Sequence, residues 1–291
     1  MSPAGALVFN ALVWGTSWWP MRQFAAHGLH PLWATAIIYL VVVAVLLVAT
    51  PRALAQVLRT PALWVLMLAA GATNATFNWA MVVGDVVRVV LLFYLMPLWT
   101  VVLARVLLHE PVTRHAAMRV ALALLGAAVV LWPAGSGLDA LPLPHSLPDW
   151  LGLVGGVAFA LNNVMLRREA RRSEAGLSMA MFLGGAVVCA PLAAAMAATG
   201  AVPWPPPLQT GLAAGLLVMA ALYLAGNLSL QYGAARLPAN VTSVVMLTEV
   251  VFAAGSALLL GGGALTAQLL LGGGLILAAA LMSAFGRHAA H

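Results

Sequence analysis

One carboxylate stands where carboxylates are expensive. Glu249 lies about eleven residues into the apolar run 238–260, with no Arg or Lys at matching depth. A charge at the centre of a bilayer costs ~2.5–3.5 kcal/mol on insertion scales unless it is neutralised or paired. Three chemistries suit such a group: a proton site, an anchor for a substrate ammonium, or a protonated acid bonding a neighbouring helix. Thr242 and Met246 fall on the same helix face as Glu249.

Other polar and aromatic side chains recur at helical spacing inside apolar runs. Asn10, Trp14, Ser17 and Trp18 fall at i, i+4, i+7 and i+8, on one face, beside Gly15, Thr16, Trp19 and Pro20, which signal close approach and a kink. Gly71, Asn74 and Asn78 share a face, with Trp79 next to it. Asn162 and Asn163 are adjacent, and Tyr223, Asn227 and Gln231 line up at i, i+4 and i+8. Any one amide can be interhelical glue, worth ~0.6 kcal/mol, or can line a polar cavity. Taken together they predict a cavity in which Asn74, Asn78, Asn163 and Asn227 meet a polar head and Trp18, Trp79 and Tyr223 hold an apolar group. Pro97 removes a helical N–H and frees a carbonyl, so Pro20 and Pro97 are candidate hinges. Arg88 follows Asp85 by three residues and reads as a local ion pair or a topology anchor. Cys189 has no second cysteine to pair with and reads as a small packing residue.

The elements that must position these residues are membrane spans. Only 7% of the 291 residues are charged and 64% are hydrophobic, whereas soluble domains carry about 25% charged residues. A span needs ~20 mostly apolar residues. The sequence predicts ten, at roughly 4–21, 32–50, 62–83, 87–108, 115–132, 150–166, 177–199, 209–231, 238–260 and 265–285. The runs are continuous rather than alternating, which argues against a β-barrel. No separate targeting peptide is expected, because the first apolar run starts at once without a basic segment before it. Spans two, seven and ten are almost purely apolar and are expected in an outer ring facing lipid.

All 13 basic residues are Arg. With the N-terminus in the cytoplasm, eleven of them fall on the cytoplasmic side, and Arg22 and Arg88 on the other, as the positive-inside rule requires. Both termini are therefore expected to be cytoplasmic. The connection 133–149 separates five apolar runs from five. Asn78 to Gly84 has the spacing of Asn227 to Gly233, and Glu110-Pro111-Val112-Thr113 falls opposite Gly263-Ala264-Leu265-Thr266. A unit of five spans ends on the side opposite its start, so a second copy must insert inverted. The expected fold is an all-α membrane protein of two inverted five-helix repeats, residues 1–135 and 148–286, joined by an outer-side linker, 136–147.

This pattern resembles the EamA-type branch of the drug/metabolite transporter superfamily. The resemblance rests on Trp14-Gly15-Thr16-Ser17, Pro97, His109-Glu110-Pro111-Val112-Thr113, Thr248-Glu249-Val250, and Gly262 to Thr266 before a Gly-rich last helix. Two positions depart from the family pattern: Val250 replaces a Pro and Gly263 a Glu. The resemblance implies a multi-pass protein of the bacterial inner membrane that exports amino acids or related metabolites. Its aromatic interior is most similar to the aromatic and neutral amino-acid exporters. Other metabolites, drug-like compounds and a channel-like uniporter are the alternatives.

Other function classes fit poorly. Prenyl-transfer and lipid-modifying enzymes need carboxylate clusters, and only Glu249 is deep. The seven His residues sit at span ends or in connections, so neither a Ser–His pair nor a metal site is expected, and no cofactor. No GxxxxGK[ST] motif is present, which leaves a gradient as the energy source. The expected reading is a monomeric, non-enzymatic secondary transporter with proton coupling open. Its cavity would be lined by Trp14, Ser17, Trp18, Asn74, Asn78, Trp79, Asn163, Tyr223, Asn227 and Glu249.

Overall fold

The computed structural model describes residues 2–109, 113–132, 143–234, 236–237, 245–246 and 248–285. Among them there is no strand. The helices are α1 (Pro3–Thr16), α2 (Trp18–Ala26), α3 (Pro31–Ala49), α4 (Pro51–Leu58), α5 (Pro61–Val83), α6 (Val86–Phe93), α7 (Met96–Leu107), α8 (Arg114–Leu131), α9 (Leu147–Arg168), α10 (Glu174–Ala198), α11 (Thr210–Ala234), α12 (Thr248–Leu260) and α13 (Ala267–Phe285). Six stretches are long and apolar enough to cross a membrane: Pro31–Ala49, Pro61–Val83, Val86–Leu107, Leu147–Arg168, Glu174–Ala198 and Thr210–Gly233. Ala117–Leu131, Thr248–Leu260 and Ala267–Ala279 are shorter apolar helices. The start of the predicted ninth span, Thr242 with it, and Glu110 to Val112 lie outside the described residues, as does most of the linker.

Local chemistry sets the helix boundaries. Pro3, Pro31, Pro51 and Pro61 open their helices, where the missing N–H would have had no intrahelical partner. Side chains cap others: Ser146 Oγ accepts from Asp149 N at 3.4 Å, Ser173 Oγ from Gly176 N at 3.1 Å, and Asp85 Oδ1 from Arg88 N at 2.9 Å. Two predicted spans are interrupted. The first breaks at Ser17, whose hydroxyl donates to Trp14 O at 2.9 Å; Pro20, three residues on, has no N–H for the Thr16 carbonyl. The fourth breaks at Tyr94–Leu95, between α6 and α7. There Pro97 has no N–H for Phe93 O, and that carbonyl lies where a Cβ on Gly156 of α9 would come within 2.7 Å of it. The connection between the predicted spans 32–50 and 62–83 forms α4. It is an amphipathic helix with Ala53 and Val57 buried and Arg52 exposed.

Packing follows from small residues. Helix α5 lies against α9 and α10, α1 against α11 and α12, α3 against α10 and α11, and α8 against α13; α6 and α7 both pack on α9, and α6 also touches α12. Where α5 crosses α10, Gly71 faces Gly184, and a Cβ on either would collide with backbone of the other helix. Gly126 of α8 and Gly272 of α13 meet the same way, each Cβ position lying 2.6–2.7 Å from the other's carbonyl oxygen. Such contacts let backbones approach where no hydrophobic effect drives helices together in lipid.

Candidate functional site

The bundle holds a partly open cavity of about 110 Å³. Its walls come from both halves of the chain and are mostly apolar, with several aromatic rings. Trp14 of α1, Tyr39 of α3, Phe77 of α5, Phe93 of α6, Phe159 of α9 and Phe182 of α10 all line it; Tyr39 lies against Phe182, and Phe93 against both Phe77 and Phe159. The polar lining consists of four amides, Asn10, Asn74, Asn162 and Asn227, with Thr73 and Glu249. Cavities that are apolar with few polar groups are the usual form of a small-molecule site.

The polar groups differ in how far they are occupied. Asn74 Oδ1 accepts from Tyr39 Oη at 2.5 Å, and its Nδ2 donates to Ala70 O at 2.8 Å. Asn227 Oδ1 accepts from Gln231 Nε2 at 2.7 Å; Gln231 also donates to Ser178 Oγ at 2.5 Å. Glu249 Oε2 accepts from Tyr94 Oη at 3.1 Å, a bond between the fourth and ninth predicted spans. In contrast, Asn10 Oδ1 and Asn162 Oδ1 are buried and accept from no described residue, although Asn10 Nδ2 reaches Met246 Sδ at 3.7 Å.

Of the residues predicted from sequence, Trp14, Asn74, Asn227 and Glu249 come together on this cavity. Tyr223 is fully buried and stacks on Trp14, with ring centroids 4.6 Å apart and 18° between planes, so it fixes that wall from behind. Asn163 is not a lining residue; its neighbour Asn162 is. Asn78 donates to Thr35 Oγ1 at 3.0 Å and bridges α5 to α3 as glue. Trp79 meets the edge of the His30 ring, 5.2 Å between centroids.

Ser17 does not line the cavity and bonds Trp14 O, while Trp18 belongs to a second feature, a network at the far end of α1. The Trp18 indole donates to Ser256 Oγ at 2.9 Å and carries the Arg22 guanidinium 4.8 Å above its ring. Arg22 donates to Met81 O at 3.2 Å, to Gly84 O at 2.5 Å and to Gly262 O at 3.4 Å. Val86 N donates to Gly262 O at 3.1 Å, and Asp85 Oδ2 accepts from Ala264 N at 3.1 Å. The turn before α6 and the turn before α13 are thus tied together through α2.

The expected Asp85–Arg88 ion pair is replaced by a longer-range one. Asp85 uses its carboxylate on backbone N–H groups, while Arg88 forms a bidentate pair with Asp149, at 2.6 and 3.0 Å, and donates to Val130 O at 2.6 Å. A planar guanidinium matches a carboxylate's two oxygens, and the fold brings the start of α9 to that fork.

Sequence reasoning missed Tyr39 and Phe182 because it placed spans two and seven in a lipid-facing ring. Both helices reach the cavity. A signal was present: Tyr39 is the one tyrosine in an otherwise largely aliphatic run, and Gly185 on α10 leaves room for its ring, which a Cβ there would strike. Asn10 was seen as polar-face material but not as a site. Among the described residues no group of three His, Cys, Asp or Glu could hold a metal ion.

The fold defines a multi-pass helical membrane protein with an internal cavity. One solved structure, described only as "Crystal structure of protein", shares this fold. It superposes with a TM-score of 0.57 at 20% identity, over 96% of each chain. The EamA-like transporter family matches residues 2–132, and this match points to a membrane transporter of small molecules. No curated protein sequence matches the chain.

Proposed function

We propose that the protein is a secondary transporter that exports small amphipathic metabolites bearing an apolar or aromatic group, the class that includes neutral and aromatic amino acids. The observation that carries this reading is the internal cavity, lined by aromatic rings and one carboxylate, Glu249, and built from both halves of the chain. Substrate binds there, against Trp14, Asn74, Asn227 and Glu249, with Tyr223 behind. Ser17, Trp18, Asn78, Trp79 and Asn163 act around it rather than on it.

In this reading the two halves are inverted repeats of five spans with cytoplasmic termini, in the inner membrane, working as a monomer. The helix pairs support it. Exchanging the halves carries α5–α9 onto α11–α1, α5–α10 onto α11–α3, and α6/α7–α9 onto α12–α1, while α3–α10 and α8–α13 map onto themselves. Inverted repeats around a midplane site are the architecture of alternating access. The breaks at Ser17 and at Tyr94–Leu95, next to Pro20 and Pro97, are where rocking would bend the first and fourth spans. Glu249 is the candidate proton-coupling group.

Counterflow into proteoliposomes tests this. Purified protein should accelerate uptake of labelled phenylalanine or a related aromatic metabolite when the same compound is loaded inside, and Glu249→Gln should lower that uptake at least tenfold. Uptake that is linear in concentration, without counterflow, would favour a channel and refute the proposal.

A further inference from the structure

The two ends of the bundle use their arginines differently. At the far end of α1 both are held by protein partners, Arg22 by backbone carbonyls and Arg88 by Asp149. At the opposite end α4 meets the turn between α9 and α10, where Ser173 Oγ donates to Gln56 Oε1 at 2.6 Å. These two segments, one from each half of the chain, carry six exposed arginines. Arg52 lies in α4 and Arg59 at its end, and Arg167, Arg168, Arg171 and Arg172 lie at the end of α9 and in the turn.

Carboxylates do not balance this charge. Glu169 pairs with Arg172 at 2.6 Å and lies 3.9 Å from Arg168, and Glu174 is the other acidic residue of these segments. Asp85 and Asp149 are at the far end and Glu249 is in the cavity; Glu110 and Asp139 lie outside the described residues. Among the described residues the side chains of Arg52, Arg59 and Arg171 have no partner. Like charges gathered on one face repel one another unless a counter-anion joins them. The surface beside them is apolar. Trp64, 47% exposed at the start of α5, donates to Val57 O of α4 at 3.0 Å, and an indole with one polar contact and an open ring suits the membrane interface. On α3, Leu40, Ala44 and Val48 follow at i, i+4 and i+8, all exposed, Val48 at 86%. That stripe ends two residues before Thr50. Thr50, Arg52 and Gln56 border an open groove of about 360 Å³, with Ser173 and Ala175 on its α10 side.

We infer that this groove binds an anionic phospholipid, with its phosphate on Arg52, Arg59 and Arg171 beside it, and an acyl chain along Leu40, Ala44 and Val48. One lipid then clasps α4 to the α9–α10 turn and so joins the two halves. A guanidinium matches a phosphate's oxygens in its planar fork, and basic clusters at a membrane surface select anionic headgroups. The quaternary ammonium of a zwitterionic choline lipid would meet the same arginines as a like charge. A free phosphate would satisfy the guanidiniums but leave the apolar stripe and Trp64 without a role. The inference rests on the multi-pass fold and not on what the cavity carries.

Native mass spectrometry of the full-length protein in a neutral detergent, titrated with dioleoylphosphatidylglycerol or dioleoylphosphatidylcholine, tests it. Each arginine near an anionic lipid is worth about fivefold in affinity. Phosphatidylglycerol should therefore bind at least tenfold more tightly than phosphatidylcholine. Arg52→Gln should lower its affinity about fivefold, and Arg52→Gln/Arg171→Gln about 25-fold. Both side chains are exposed, so the variants should keep the helical circular dichroism of the wild type. Arg114→Gln removes the same charge from α8, which packs on α7 and α13, and should leave the affinity unchanged. Equal binding of the two lipids would overturn the inference, as would a folded double variant that loses less than twofold. An Arg114→Gln loss as large as that of Arg52→Gln would overturn it too, because overall charge and not the groove would then set the preference. Full displacement of the lipid by millimolar inorganic phosphate, with chloride matching the ionic strength, would assign the groove to a free anion instead.

Discussion

Arg22 is the pin of the network that closes the bundle at the far end of α1, and its removal should open that end. The guanidinium reaches the carbonyls of Met81, Gly84 and Gly262 and lies over Trp18. A hydrogen bond from a charged donor contributes about 1.5–3 kcal/mol net, but the 3.4 Å contact to Gly262 is long and Arg22 is half-buried, so water offsets part of the sum. The cation over Trp18 adds about 0.5–1 kcal/mol. A total near 2 kcal/mol corresponds to about a 30-fold shift between closed and open forms. The assay uses the single native cysteine. Cys189 is fully buried, so a cysteine at Ser17, itself 3% exposed beside Trp18, is the accessible thiol once that end opens. A hydrophilic maleimide should label Ser17→Cys about 30-fold faster when Arg22→Met is added, while Cys189 stays unlabelled. A change below threefold would refute the pin. Equal acceleration at Cys189 would show unfolding instead of opening.

Two further outcomes follow from contacts outside the cavity. Asp149→Ala should lower stability by about 2–3 kcal/mol, below the 3–5 kcal/mol of a fully buried pair, because the Arg88 side chain is 27% exposed against 3% for Asp149; thermal unfolding in detergent should show this, with Arg88→Leu/Asp149→Leu recovering most of the loss. His30 accepts from Leu32 N through Nδ1 at 3.3 Å, capping α3, and burial holds its pKa below the ordinary value. The neutral ring is therefore the folded form's preference: this contribution is complete above the usual histidine range near about 6.5 and is lost as pH falls through it and below. His30→Asn, which keeps a capping acceptor, should flatten the melting temperature between pH 8 and pH 5 relative to the wild type; an unchanged slope would remove His30 as the cause.

What the sequence determined by itself is the solvent and the material of the site. Apolar runs of span length force helices, since backbone polar groups have no other partner in lipid. One deep carboxylate and the interior amides can be seen without coordinates, because polar residues in such runs are costly enough to mark an interior. The sequence also marks Pro20 and Pro97, whose missing N–H groups weaken a helix wherever it lies. Only the tertiary structure decided which amide does what. Asn78 and Asn74 share one helix face and both bond to α3, yet Asn78 ends against Thr35 as glue while Asn74, held by Tyr39, lines the cavity. Asn162 and Asn163 differ by 100° of rotation, which helical spacing alone cannot orient. Arg88 has Asp85 three residues away but pairs with Asp149, sixty-one residues on, because the Asp85 carboxylate is spent on capping N–H groups and the start of α9 brings a free carboxylate to the guanidinium. Tyr39 looked like lipid-facing filler until Gly185 admitted its ring. Periodicity gives the face of each helix, and only packing says what that face meets.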